Sequence, residues 1–318
     1  MIDTKKIQIP QGSQFDRLLA IQLASLINRA IREYQEYKEY IKGNRDTNPT
    51  RNNTIIIEPE PEYGVEVANY RRLHTFYVGK DKNEPIGFIA KDQGQNGNSE
   101  IFVVFRGTAS HLEWSHNLTP GSEILRDKEK VRTGFLTLYN GSIKETVEKF
   151  LNSYQFPSGT ETSTQVFITG HSLGGALATL AARQILATIN PNVSLYLYTF
   201  GSPRVGNNCF AEYLIAGLEG CYRIANSEDS VTYLPIPASL LFDPKSLEHS
   251  SLFRQILIKG IRRVLRTGEN LLNNPIANYQ HVGESISFTV QNLQSISDEN
   301  PTIAGNHNFD LYRKALLP

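Results

Sequence analysis

The segment that most constrains this chain is Val166–Gly175. There the apolar run Val166-Phe167-Ile168-Thr169 passes through Gly170-His171-Ser172-Leu173-Gly174-Gly175 into an Ala- and Leu-rich stretch, Ala176 to Ile189. The first run reads as a buried strand and the last as a helix. A strand turning this tightly into a helix forces unusual backbone angles, so small residues must flank the serine. The turn would lift the Ser172 hydroxyl above the sheet edge and set it at a helix amino terminus. Backbone N–H groups and the helix dipole stabilise developing negative charge at such a point. A bare G-x-S-x-G pattern also occurs as nothing more than a tight turn. The strand before it and the helix after it favour Ser172 as a nucleophile.

The rest of the chain supplies the sheet this turn needs. Thr54 to Ile57, Leu73 to Val78, Ile86 to Lys91 and Glu100 to Phe105 are short and rich in β-branched or aromatic residues, so they read as strands. From Val131 onward helices alternate with strands: helix Phe135 to Leu151, strand Val166 to Thr169, helix Ala176 to Ile189, strand Val193 to Phe200, helix Cys209 to Leu218 and strand Cys221 to Ala225. That order predicts an α/β fold with a mostly parallel central sheet flanked by helices, in one domain spanning residues 1–318. Ahead of it, residues 1–53 read as an amphipathic helix capped by Ser13, then a polar loop. The helix carries Phe15, Leu18, Leu19, Leu23, Leu26, Ile27, Ala30, Ile31, Tyr34 and Ile41 at helical spacing, suited to packing on the sheet.

Composition narrows the function classes. Lys plus Arg equals Asp plus Glu at 32 each, which gives no electrostatic case for nucleic acid. No uncharged apolar run approaches the roughly 18 residues of a membrane span, and the amino terminus lacks the apolar core of a secretory signal. Two cysteines, Cys209 and Cys221, are too few for a disulfide-built scaffold and read as free thiols. These features predict a cytoplasmic or otherwise intracellular protein, possible contact with a membrane periphery aside.

A serine nucleophile needs a base, and the base needs an acid to orient it. Asp229 follows the strand Cys221 to Ala225 and would sit at a strand's carboxyl end; its neighbour Glu228 rivals it. His249, His281 and His307 lie well downstream of Ser172. His307 sits in the polar loop Ala304-Gly305-Asn306-His307-Asn308 ahead of a short helix, Phe309 to Leu317. A base requires such a loop facing the sheet edge. His281, just before the strand Ser285 to Val290, reads as a hydrogen-bonded structural residue, and His249 is the weakest of the three.

Taken in order, five separated segments resemble the class 3 lipases, the family that includes the secreted fungal triacylglycerol lipases. They are Val103-Val104-Phe105-Arg106-Gly107-Thr108, the Gly170–Gly175 turn, Thr199-Phe200-Gly201-Ser202-Pro203-Arg204-Val205-Gly206-Asn207, Asn226 to Pro235, and His307 through Tyr312 to Leu316. The resemblance implies the α/β-hydrolase fold and a triad of Ser172, Asp229 and His307, setting aside Glu228 and His281. It implies an oxyanion hole from the backbone N–H groups of Thr108 and Leu173, and chemistry that needs neither cofactor nor metal. Where the family often has a histidine before Gly-Phe this chain has Arg132-Thr133-Gly134-Phe135, and the first 70 or so residues lie outside the resemblance.

Two further segments bear on substrate. In similar lipases the stretch after the oxyanion turn is a helical lid, which would here present Leu112 and Trp114; Trp114 reads equally as an anchor to the core. Residues 238–278 exceed what the family pattern needs and form a helical insertion. Within it, residues 252–266 set Phe253, Ile256, Leu257, Ile261, Val264 and Leu265 against Arg254, Lys259, Arg262, Arg263 and Arg266. Packing of the apolar stripe on the core is the simpler reading, and docking on an anionic lipid surface is the alternative. The expected activity is hydrolysis of acyl esters of lipids through an acyl-enzyme on Ser172. Its rivals are a phospholipase or galactolipase A1, a short-chain esterase, an acyltransferase and a catalytically silent membrane-binding scaffold.

Overall fold

Strands buried on both faces of a parallel sheet must be apolar along their whole length, and two runs of this chain meet that demand. Val166 to Ile168 and Ile101 to Phe105 are apolar and buried throughout. The computed structural model describes residues 7–79, 83–92, 99–107, 121–156, 164–189, 192–234, 279–289 and 303–317. Within them the first elements are helix α1 (Arg17–Ile41) and strands β1 (Thr54–Ile57), β2 (Ala68–Val78), β3 (Glu84–Asp92), β4 (Ser99–Phe105), β5 (Ser122–Arg126) and β6 (Glu129–Arg132). Next come α2 (Thr133–Leu138), α3 (Lys144–Ser153), β7 (Thr164–His171), α4 (Leu173–Leu186), β8 (Val193–Phe200) and β9 (Gly206–Asn207). The series ends with α5 (Asn208–Gly217), β10 (Gly220–Asn226), β11 (Tyr279–Gln280), β12 (Glu284–Phe288), α6 (Ile303–Asn306) and α7 (Phe309–Ala315).

Eight strands form the central sheet in the order β1-β2-β3-β4-β7-β8-β10-β12. β1 to β4 pair antiparallel, and β4, β7, β8, β10 and β12 run parallel. This is the predicted α/β-hydrolase architecture: an antiparallel entry followed by parallel strands with helices on both faces. One face packs on α2, α3, α4 and α5 through Phe135, Val147, Leu177, Ala181 and Phe210. The other packs on α1 and α7 through Leu23, Leu26, Ile27 and Tyr312. The amphipathic amino-terminal helix therefore covers the sheet through Leu23, Leu26 and Ile27, whereas Leu18 and Ile41 of the expected stripe are exposed.

Several boundaries differ from the sequence reading. Asp16, not Ser13, caps α1, its carboxylate accepting from Leu19 N at 3.0 Å. The Ser13 hydroxyl instead donates to Glu284 at 2.8 Å, tying the chain's start to β12. The helix expected over Phe135–Leu151 is divided at Tyr139–Ile143, a π-helical turn in which Gly141 leaves helical geometry (φ −65°, ψ −120°). The nucleophile helix begins at Leu173 rather than Ala176, because the turn into it is a single residue long. A small second sheet, β11-β9-β6-β5, was not anticipated, since its strands are two to five residues long and carry no lengthy apolar pattern.

Two buried ion pairs join distant segments. Arg72 of β2 pairs with Glu33 of α1, and Arg183 of α4 with Glu129 of β6 at 2.7 Å. A third group centres on buried Glu60, which accepts from Ser25, Asn28 and Arg32 and from Arg313 of α7. Glu60 so fastens the amino-terminal helix to the carboxy-terminal one. Cys209 and Cys221 are free. Among the described residues no helix is long and apolar enough to cross a membrane. The 238–278 insertion, including the 252–266 basic stretch, lies outside the described residues.

Candidate active site

Ser172 stands alone between the end of β7 and the start of α4, with φ +57° and ψ −125°. Such angles are sparsely populated for a residue with a Cβ, so the surroundings must hold them. They do so from two sides. Ser172 N donates to Phe200 O on β8 at 2.9 Å, and Ser172 O accepts from Gly175 N at 2.9 Å. The flanking glycines are sterically required: a Cβ at Gly174 would come within 2.6 Å of Phe105 O, and one at Gly170 within 2.8 Å of Gly175 N. Helix α4 can therefore start directly against β4 and β7, which places the serine over the sheet's carboxyl edge.

The other two groups arrive on loops at that edge. Asp229 follows β10 and caps a short 3-10 turn, Ser230–Tyr233, its Oδ1 accepting from Val231 N at 2.9 Å. His307 lies between α6 and α7. The structure brings the three together: His307 Nε2 is 2.7 Å from Ser172 Oγ, and His307 Nδ1 is 2.5 Å from Asp229 Oδ2. All three are fully buried, where hydrogen bonds and charges act at low dielectric. Glu228, the rival acid, is not in this chain of contacts; its backbone N–H donates to Asn226 Oδ1 at 3.1 Å. His281 hydrogen-bonds the Thr232 backbone, and burial together with Arg223 and Arg204 pushes its pKa well below 6.5, so it stays neutral. It supports the acid loop from behind, in keeping with the structural role read for it. His249 lies outside the described residues.

Sequence reasoning missed the parts that position the base and the acid. The Tyr312 hydroxyl donates to Asp229 Oδ2 at 2.5 Å. Burial and the neighbouring carboxylate raise its pKa well above 10, so the phenol remains a donor. Asn226 Nδ2 donates to Asn306 O at 2.8 Å, and Asn306 Nδ2 donates to Glu228 O at 3.3 Å, which latches the acid loop to the base loop. The His171 ring stacks on that of His307, centroids 4.8 Å apart and planes 29° from parallel. Only the position of His171 beside the serine hinted at this, because stacking across 136 residues of chain leaves no local pattern.

Leu173, named for the oxyanion hole, opens α4, and the first-turn N–H groups of a helix have no intrahelical acceptor. Its partner Thr108 lies outside the described residues, as do Leu112 and Trp114. The described part of that turn ends at Gly107, where a Cβ would be 3.3 Å from Ser172 Cβ. Among the described residues no group of three or more His, Cys, Asp or Glu is gathered as a metal site.

Comparison with known proteins finds similarity over the segment that carries most of these motifs. Residues 102–238 match the family model "Lipase (class 3)". The chain is 36% identical over 174 residues to the chloroplastic phospholipase A(1) DAD1 of Arabidopsis thaliana, covering 47% of this chain and 38% of that protein. It is 39% identical over 153 residues to a lipase of Rhizomucor miehei, covering 46% and 40% of the two chains. Against a secreted mono- and diacylglycerol lipase of Fusarium solani it is 35% identical over 188 residues, covering 58% and 54%. The matched part thus spans only about two fifths to a little over half of these relatives' lengths. Among solved structures, the Rhizomucor miehei triacylglyceride lipase superposes with a TM-score of 0.47 at 26% identity, covering 73% of this chain and 78% of that one.

Proposed function

We propose, from the match of residues 102–238 to the class 3 lipase family model, that the chain is a member of that family and hydrolyses acyl esters of lipids with Ser172 as the nucleophile. The observation that carries this reading is the unbroken run of contacts from Ser172 Oγ through His307 to Asp229, at 2.7 and 2.5 Å. His307 Nε2 is placed to take the hydroxyl proton as Oγ attacks the ester carbonyl. Asp229, held by Val231 N and Tyr312, orients the ring and stabilises the imidazolium that forms. Negative charge on the carbonyl oxygen develops at the amino terminus of α4, where Leu173 N–H meets it. His307 then returns its proton to the departing alcohol, leaving the acyl group on Ser172. Water, deprotonated by the same histidine, attacks the acyl-enzyme and releases the carboxylic acid.

The lipid character of the substrate is supported by relatives named lipase and mono- and diacylglycerol lipase. A second reading, a phospholipase A1, is favoured by the relatives of that name from Arabidopsis thaliana and Oryza sativa. The test is hydrolysis of p-nitrophenyl esters from butyrate to palmitate, and of diacyl phosphatidylcholine, by wild type and Ser172→Ala. Activity that is lost in the variant supports the nucleophile, and fatty acid released from phosphatidylcholine would favour the second reading. Wild type inactive on every substrate, with detergent or liposomes present, would leave a silent scaffold; a fully active Ser172→Ala would remove the nucleophile.

A further inference from the structure

Arg223 stands on β10 with its side chain against β12, where Nη2 donates to Ser285 Oγ at 2.9 Å. Its Nε is buried and meets no acceptor. Nor does a carboxylate balance its charge among the described residues. The acidic groups that act on it are the phenols of Tyr312 and Tyr233, and burial keeps both neutral by raising them above 10. A buried cation is costly unless it is paired and hydrogen-bonded. A second cation stands beside it. Arg204 donates from Nη1 to Tyr233 O at 2.7 Å, and burial together with the charge of Arg223 lowers its pKa to about 10. Both guanidinium groups are therefore charged at neutral pH. His281, held on the Thr232 backbone, is the third group to feel them.

These groups converge behind the loop that bears Asp229. Tyr233 O and the Thr232 backbone belong to the 3-10 turn that Asp229 caps, and Tyr233 Oη closes the loop on Ser227 O at 2.9 Å. Arg223, Arg204, His281 and Ser285 are each half-buried, so none is sealed from solvent. What such a place lacks is negative charge. A guanidinium offers five N–H donors in a rigid fork that matches the oxygens of a phosphate. Arg223 commits one of them, and Ser285, which accepts that bond, keeps its own hydroxyl hydrogen to give. A dianion between two like charges attracts both, and its tetrahedral oxygens accept from several directions at once. A single carboxylate offers half that charge and only one plane of acceptors.

We propose that Arg223, Arg204 and Ser285 form a binding site for a phosphate-type dianion, either the free ion or the phosphomonoester head group of a lipid. The site is distinct from the triad and stands whether or not the chain is a hydrolase. Bound there, the dianion draws β10, β12 and the Ser230–Tyr233 turn together, which steadies the loop of Asp229 from behind. Without it the two cations repel one another across the same space. Replacing an uncompensated buried charge by an apolar side chain of similar size is neutral or stabilising. Arg223 therefore weakens the anion-free protein and strengthens only the loaded one.

The experiment takes full-length wild type, Arg223→Met and Arg223→Gln in a phosphate-free buffer at constant ionic strength and follows the thermal midpoint as inorganic phosphate is added. Before addition, both variants should melt at or above wild type. Wild type should then rise saturably, by about 4 °C at roughly one hundred times Kd, and overtake variants that do not respond. General stabilisation by phosphate as an excluded salt looks different, since it climbs without saturating and by the same amount in every protein. Cosedimentation with phosphatidic acid vesicles, against phosphatidylcholine vesicles, tells the sources apart. A saturable rise that needs Arg223 assigns the site to the free ion. Retention on phosphatidic acid that needs Arg223, without that rise, assigns it to the head group. Should Arg223→Met fail to fold, Arg223→Gln, which keeps a donor for Ser285, carries the same comparisons. The proposal is overturned if neither response depends on Arg223, or if both variants melt below wild type before phosphate is added.

Discussion

Replacing Ser172 by glycine and, separately, by alanine makes two proteins that both lack the nucleophile and differ by one methyl group and the backbone freedom that its absence gives. At an ordinary position glycine is the less stable of the pair by about 0.5–1 kcal/mol, because it loses more conformational entropy on folding. At Ser172 the backbone sits at φ +57° and ψ −125°, which any residue with a Cβ adopts at a cost of about 1–3 kcal/mol. Both variants lose the same Ser172–His307 hydrogen bond, so that contribution cancels in the comparison. Strain relief less the entropy cost leaves Ser172→Gly more stable than Ser172→Ala by roughly 0.5–2 kcal/mol. In a chain of this size that corresponds to about 1–3 °C in thermal midpoint. Paired urea unfolding and thermal scans at one pH measure it, with esterase activity confirming that both variants are inactive. Should alanine prove as stable as glycine, or more so, the turn is unstrained at Ser172, and the account of why the flanking residues must be small fails with it.

Two further outcomes follow from buried groups away from the nucleophile. Glu60→Ala leaves Arg313, whose side chain is 5% exposed, without its carboxylate; a broken buried pair costs about 3–5 kcal/mol, so urea unfolding should show a fall of that order, and a loss under 1 kcal/mol would mean that the pair is not buried in solution. His281 has a pKa depressed well below 6.5 by burial and by Arg223 and Arg204, so the unfolded chain binds its proton first as pH falls. Its contribution is present above about pH 6.5 and is lost as pH drops toward the folded value, at up to about 1.4 kcal/mol per pH unit. His281→Gln should therefore show a shallower decline in stability between pH 7 and 5 than wild type; equal slopes would refute the burial.

Patterns local to the chain were enough for the order of the strands in the central sheet and of the helices between them, the turn that presents Ser172, and the cover that α1 places over the sheet. Each depends on neighbours in the chain: apolar runs of strand length, glycines where a Cβ cannot fit, a stripe at helical spacing. From residues alone Asp229 and Glu228 were equivalent, one position apart in the same loop. Family resemblance preferred Asp229, and the tertiary structure shows the physical distinction, because only its carboxylate turns toward His307 and Tyr312. The Asn226–Asn306 latch, the His171 stack and the second sheet had no signature along the chain. They join residues 80 to 136 positions apart, or strands too short to show a pattern. Spacing along a chain encodes which face of an element a side chain occupies, whereas which faces meet is decided only when the sheet closes and its carboxyl-end loops converge.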